Sequence, residues 1–147
     1  MDANVIKNCI LAGLAVFGSF AANSLGGWDA SLQVLIALMV ADYITGVLVA
    51  AVWHKSSKSS SGTLNSVAGF KGILKKCAIL ALVWIGVLLD NATGANYIRA
   101  ALVLFFIGNE GISLMENLGL MGVPYPAFLK KALEALHDQG DQGGEHS

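Results

Sequence analysis

The stretch Leu32–Trp53, LQVLIALMVADYITGVLVAAVW, decides the fold, because about 20 apolar residues in a helix cross the hydrocarbon core of a bilayer. Its one charge, Asp42, lies near the middle, where acids are costly and usually mark functional positions. Asp42, Gly46 and Ala50 are spaced by four residues and share a helix face that another helix can approach closely. We predict that this face lines a helix interface or a pore. The alternative is an outward-facing acid that snorkels to the surface or stays protonated.

The composition of the whole chain is typical of a membrane protein. Of its 147 residues 55% are hydrophobic and 13% are charged, whereas soluble domains contain about 25% charged residues. The apolar residues form long runs, which indicates an integral membrane protein. A formal net charge of −1 argues against a nucleic-acid partner. Cys9 and Cys77 have no metal-ligand spacing, so we expect neither a disulfide framework nor a metal site.

Three further apolar runs flank the central stretch, so we predict an all-α integral membrane protein with four transmembrane helices. The predicted spans are about 9–25, 32–53, 73–89 and 97–116. The first run and Ser19-Phe20-Ala21 also fit a cleavable signal peptide. The alternative is three spans, with Cys9–Leu25 lying in the membrane interface or removed. Another apolar run begins only a few residues later, and a closely spaced pair is typical of a helical hairpin.

The segment His54–Lys76 is predicted to be the one sizeable loop, and it is basic. It contains lysines and no acid; the lysines are Lys55, Lys58, Lys71, Lys75 and Lys76. We expect them at the membrane surface. Because the apolar core of the third span is short, Lys75 and Lys76 should snorkel there along their aliphatic stems.

The second half of the fourth run is polar on one face. Asn109, Ser113 and Asn117 are spaced by four residues, and Glu110 adjoins them. Polar groups at this depth bind helices together or contact water, so this face is the second candidate for an oligomer interface or a pore.

Glu110 and Asp42 should lie at similar depths, about 5 Å apart along the membrane normal. Arg99 is too close to the end of its helix to neutralise Glu110, whereas Lys75 and Lys76 are better placed. We therefore expect the acids to be sheltered between helices.

The residues after the fourth span divide into a helix and a tail. Residues 127–137 are amphipathic and should lie on the membrane surface or pack on the bundle. The polar, Gly-rich residues 138–147 are predicted to be disordered. We divide the chain into a transmembrane domain, 1–126, and a cytoplasmic amphipathic helix with its tail, 127–147.

Positive charges are unevenly distributed between the two sides of the predicted bundle. With four spans and the basic loop inside, every lysine lies on the inner side and Arg99 lies outside. Cytoplasmic segments are enriched in Lys and Arg, so we predict that both termini are cytoplasmic. Sequence motifs of hydrolases, metalloproteases, redox and dinucleotide enzymes are missing, and we expect no catalytic residues, metal or cofactor.

Four places in the chain, taken in order, resemble the toxin-secretion/phage-lysis holins, small membrane proteins of phages and prophages. They are Asp42-Tyr43-Ile44-Thr45-Gly46; the basic segment with Ser59-Ser60 and 69–76, GFKGILKK; 109–117, NEGISLMEN; and 122–126, GVPYP, followed by Leu129 and the amphipathic helix. Each motif alone is weak, but their order and spacing together are fairly specific. They cover most of the chain, about residues 32–136.

The resemblance implies a function that composition does not show. Such proteins accumulate in the bacterial cytoplasmic membrane, oligomerise and open a lesion through which endolysin, or in some relatives a toxin, leaves without specific binding. The expected partners are the lipid bilayer and further copies of the chain. Two alternatives stay open: a small four-helix proton-coupled transporter, which an intramembrane acid suits, and a membrane inhibitor of lysis that assembles with a holin.

Overall fold

The computed structural model describes residues 2–56, 58, 61–63 and 65–143, and within them all regular structure is helical. The helices are α1 (Ala3–Ser24), α2 (Ala30–Leu48), α3 (Ser66–Thr93), α4 (Ile98–Leu120) and α5 (Ala127–Gln142), with one π-helical turn, Val49–Trp53, continuing α2. The first four are long and apolar enough to cross a membrane. The predicted all-α membrane fold with four spans and a C-terminal amphipathic helix is therefore confirmed.

Local capping interactions set the ends of the spanning helices. Asp29 accepts a hydrogen bond from the Leu32 amide at 2.8 Å and begins α2, and Asn65 accepts one from the Val67 amide at 2.8 Å and begins α3. Gly94 ends α3 in the left-handed region at φ 73°, where a side chain would be strained.

The helix α3 begins well before the predicted span. Residues 66–72, before the predicted span, were expected in the basic loop, but the Asn65 cap starts the helix at Ser66. This correction matters because the lysines of residues 66–76 now project from a helix at fixed angles. Ser59 and Ser60 of the basic segment lie outside the described residues.

Helix α4 is at the centre of the bundle and contacts α2, α3 and α5. Helices α2, α3, α4 and α5 form the apolar core. Its residues are Leu35 and Met39 of α2, Ile79 and Val83 of α3, Val103, Phe106, Ile107 and Met115 of α4, and Leu133 of α5. Helix α1 is fully described and none of its residues is buried. In a bilayer the apolar surface of α1 is available to lipid.

The two ends of the bundle carry different residues. Residues 25–29 and 94–99 form one end, which we call the Arg99 end. The described residues of 54–65, together with 121–126, lie at the opposite end, which we call the loop end.

Helix α5 turns back along α4 instead of extending away from the bundle. A Cβ atom added at Gly108 of α4 would lie 2.5 Å from the His137 Cβ of α5. One added at Gly111 would lie 2.5 Å from a Leu133 methyl group. The glycines of α4 thus leave the space into which α5 fits, since real Cβ atoms do not approach other atoms so closely.

The C-terminal helix is also longer than predicted. The sequence predicted a helix over 127–137 and disorder from 138, but α5 continues to Gln142. Gly140 is buried against α4, so packing stabilises residues that are polar by composition. The predicted disorder of residues 144–147 concerns a segment outside the described residues.

Candidate functional site

Asp42 is buried where α2 packs against the second half of α4. Its side chain is 6% exposed. Its Oδ1 accepts hydrogen bonds from Ser113 Oγ at 2.7 Å and from Asn117 Nδ2 at 3.0 Å. The Asn117 amide also donates to the Asp42 carbonyl oxygen at 3.1 Å. The polar face of α2 and the polar face of α4, predicted as two separate candidates, therefore meet within one chain.

Lys76 of α3 links the acids of the other two helices. Its Nζ lies 2.8 Å from Asp42 Oδ2 and forms an ion pair with Glu110 Oε2. The side chain of Lys76 is 15% exposed and that of Glu110 is fully buried. We call Asp42, Lys76 and Glu110 the ion triad; it joins three spanning helices at one nitrogen atom.

Two further lysines lie at the edge of the ion triad. Lys58 Nζ is 3.3 Å from Asp42 Oδ1 and 3.3 Å from Ser113 Oγ, so it reaches in from the loop end. Lys75 Nζ is 3.8 Å from Glu110 Oε1. Both side chains are about half exposed. Two carboxylates thus face three ammonium groups, and neither acid is left uncompensated.

The structure refines the prediction for the lysines. The expected pairing of Glu110 with Lys75 and Lys76 is present, but Lys76 does not snorkel to the surface, because its amine is held between two acids. The sequence analysis did not predict that Lys76 and Lys58 contact Asp42. The contact of Lys76 with Asp42 could have been predicted, since Asp42 and Glu110 were expected at similar depths and Lys76 was expected near Glu110. Nothing in the sequence indicated that the loop folds back to Asp42.

The other predicted site residues surround the ion triad. Ala50 is buried on the same face as Asp42. A Cβ added at Gly46 would make ordinary contacts with Asn117 Nδ2 at 3.6 Å and Lys58 Nζ at 3.7 Å. The close approach expected of this face therefore occurs inside one chain. A role for these residues between subunits or in a pore stays a prediction.

Asn109 and the two outer lysines of the basic segment have different surroundings. Asn109 Nδ2 lies 3.4 Å from Glu110 Oε1, which adds an amide donor to the buried acid. Lys55 and Lys71 are exposed, as expected of lysines at a membrane surface.

A cavity of about 80 Å³ lies beside the ion triad between α2 and α3. Its lining includes Asp42, Lys58 and Lys76 together with Gly69 and Gly72. This volume is enough for a few water molecules, for which the charged groups supply hydrogen-bond partners. Among the described residues no group of three or more His, Cys, Asp and Glu side chains could hold a metal ion.

Arg99 has a separate role at its own end of the bundle. Its Nη1 is 2.7 Å from Asp29 Oδ2, and its Nε donates to the Leu25 carbonyl oxygen at 2.6 Å. The hydrogen bond from Arg99 holds the pKa of the Asp29 carboxyl well below its usual range. Arg99 thus ties the α1–α2 turn to the start of α4 and takes no part in the ion triad.

Comparison with known proteins identifies the family to which the chain is similar. A model of the bacteriophage holin family matches residues 19–138, which include the ion triad and most of α5. An uncharacterized protein of Listeria innocua is 38% identical over 97% of this chain and 94% of its own length. An uncharacterized protein of Clostridium perfringens is 36% identical over 90% of this chain and 94% of its own length.

One relative carries a functional name. A protein named probable holin from Bacillus phage phi105 is 31% identical over 78% of this chain and 79% of its own length. No solved structure matches the chain significantly.

Proposed function

Because this chain belongs to the bacteriophage holin family, we propose that it accumulates in a bacterial cytoplasmic membrane, assembles with further copies of itself and opens a lesion for host-cell lysis. Endolysin, or a toxin in its place, leaves through the lesion without specific binding. Family membership is the observation that carries the proposal. The family consists of non-enzymatic membrane proteins, and we propose no catalytic activity, metal or cofactor for this chain.

The ion triad supports the accumulation stage of this proposal. A charged side chain in the middle of a bilayer costs on the order of 2.5–3.5 kcal/mol by insertion scales. In this chain each buried acid has a lysine and a further polar side chain within its own subunit. A single copy therefore needs no second subunit to compensate its buried charges, and closed subunits can build up in the membrane.

Expression in a bacterial host tests the function directly. Three cultures are compared: one expresses the chain alone, one a cytoplasmic endolysin alone, and one both proteins. The membrane potential and the release of a folded cytoplasmic enzyme are followed in each. We expect abrupt loss of potential whenever the chain is present, and lysis only when both proteins are present. Sustained potential with graded ion or drug resistance would contradict the proposal and indicate a transporter. If the chain has no effect by itself but delays lysis when it is expressed with a second holin, it acts as an inhibitor of lysis.

The orientation of the bundle is a further part of the proposal. The lysine bias favours a cytoplasmic loop end and an Arg99 end outside the membrane. In a background without Cys9 and Cys77, a cysteine at Asn96 should react with an impermeant maleimide on intact cells before lysis. A cysteine at Lys55 should react only after the cells are permeabilised. The opposite pattern would reverse the topology of the bundle and the predicted cytoplasmic N-terminus. Because Gly143 packs against Ala101 near the Arg99 end, this labelling does not test the predicted cytoplasmic C-terminus.

A further inference from the structure

Helix α5 lies beside a membrane-spanning helix and at the same depth. Leu133 packs against Gly111, near the middle of α4, and Gly140 packs against Ala101, near the Arg99 end. From Gly111 to Ala101 is about 15 Å of helix. The second half of α5 therefore occupies the depth between the middle of the span and one of its ends.

The contact between α5 and α4 is close and specific. Gly108 and Gly111 are buried where α5 crosses them. His137 Nδ1 lies 3.3 Å from the Phe105 carbonyl oxygen, and the two rings are 4.1 Å apart between centroids. Glycines that admit a second helix, together with an interhelical hydrogen bond, are the features that hold helices together in lipid.

The opposite side of α5 is polar and exposed. Its residues form the α5 polar face: Lys130, Lys131, Glu134, Asp138, Gln139 and Asp141. Lys130 and Glu134 pair at 3.8 Å, but neither Asp138 nor Asp141 forms an ion pair with another described residue. Asp138 follows His137 and so lies level with Gly108, in the middle of the span. Charges at this depth face a water-filled space or a partner, not hydrocarbon.

We propose that α5, docked on α4, lines the aqueous lumen of the assembled lesion with the α5 polar face. The inference rests on the proposed holin function and identifies the surface that water meets. The ion triad does not compete for this role, because its charges are compensated within the chain. Gly108, under α5, is about 200° around α4 from Glu110. A subunit can therefore turn α5 toward water while its ion triad stays paired between α2, α3 and α4.

Cysteine labelling tests whether α5 meets water. In a background with Cys9→Ser and Cys77→Ser, single cysteines are placed at Asp138 and Gln139, and a sulfonated, membrane-impermeant maleimide is added before and after loss of the membrane potential. The matched control is Ile85→Cys, an exposed apolar position of α3 whose neighbour Gly86 packs against Leu102. We expect both α5 cysteines to be labelled after the potential is lost and Ile85→Cys to stay unlabelled. Labelling of α5 no stronger than that of Ile85→Cys would overturn the inference.

A second experiment separates a lumen-lining α5 from one that leaves the bundle. A Cβ added at Gly143 lies 2.9 Å from the Ala101 Cβ, so Ala101→Cys with Gly143→Cys should form a disulfide on mild oxidation. We expect stapled chains to collapse the potential and to keep Gln139→Cys reactive. Failure of the staple to form in membranes, or a staple that blocks the collapse until dithiothreitol is added, would show that α5 acts away from α4.

The outcomes distinguish this inference from the proposed function. A wild-type chain that never collapses the membrane potential contradicts the holin function, and the α5 inference falls with it. A wild-type chain that collapses the potential while α5 stays unlabelled, or while the staple blocks opening, leaves the holin function intact and removes the inference alone.

Discussion

Two polar surfaces lie at the depth of the spanning helices, on opposite sides of α4, and they differ in whether their charges have partners. Around the ion triad, Lys76 pairs with both acids, and every buried side-chain nitrogen or oxygen among the described residues has a hydrogen-bond partner. On the α5 polar face, Asp138 and Asp141 are exposed and have no ion pair with a described residue. The difference teaches that a polar residue inside a membrane span does not by itself mark a pore. A satisfied cluster holds helices together, whereas an unsatisfied face needs water.

Removing the shared lysine should have the largest effect. Lys76→Met keeps the length of the side chain but leaves two buried carboxylates without their common cation, and breaking a buried pair costs about 3–5 kcal/mol. We expect the membrane level of the protein to fall strongly in immunoblots and lysis to be lost.

The control for this change is Lys71→Met, an exposed lysine of the same helix. It should accumulate and lyse like the wild type. If Lys76→Met behaves like Lys71→Met, the ion triad does not stabilise the bundle, and the contrast between the two polar surfaces disappears.

Removing the charge of one acid should have a smaller effect, because Lys76 remains paired with the other acid. Glu110→Gln and Asp42→Asn preserve shape and weaken the charged contacts of one acid each, and a hydrogen bond to a charged group is worth about 1.5–3 kcal/mol. We expect both variants to insert and accumulate but to change the time at which the membrane potential collapses. Lysis by both on the wild-type schedule, at equal membrane levels, would make these acids bystanders.

A methyl group under α5 tests the second polar surface. Gly108→Ala places a Cβ 2.6 Å from the backbone of α5, and such overpacking costs about 1–3 kcal/mol. We expect less disulfide between Ala101→Cys and Gly143→Cys and a delayed loss of membrane potential. Gly119→Ala, on the same helix but with its nearest neighbour at 3.9 Å, is the matched control and should change neither.

The smallest effect is expected at the Arg99 end. Asp29 is nearly half exposed, so its pair with Arg99 contributes less than about 1 kcal/mol. Because the Asp29 pKa is lowered from 3.8, this contribution is complete above that value and is lost only as the pH falls below it. We expect Asp29→Asn to lower the Tm of purified protein slightly and equally at pH 7 and pH 5. A loss of stability between these two values that Asp29→Asn abolishes would mean that the carboxyl titrates near pH 6.

The sequence was sufficient for four spans and for the pairing of Glu110 with lysines of α3, but not for the contact of Lys76 with Asp42. Long apolar runs predicted four helices, and the depth of Glu110 predicted that Lys75 and Lys76 would be better placed than Arg99 to pair with it. The start of α3 was missed because one cap, Asn65, makes a basic segment helical. Polarity alone does not distinguish a loop lysine at the surface from a helical lysine turned inward.

The packing of α5 against α4 could not be predicted from the sequence, for a different reason. An amphipathic pattern identifies the apolar face of a helix but not the surface that the face covers. The presence of glycines at 108 and 111 does not say which helix packs against them. Only the fold shows that they receive Leu133 and His137.

The arrangement of three lysines around two acids also has an evolutionary consequence. Lys76 contacts both acids at one nitrogen, so nearly any replacement there disrupts three helices together. Lys58 and Lys75 each contact one acid from a half-exposed position, and changes there alter the balance of charge without removing its centre. If the chain acts as the proposed holin, we expect variation at Lys58 or Lys75 to adjust the timing of lysis in small steps and variation at Lys76 to abolish it.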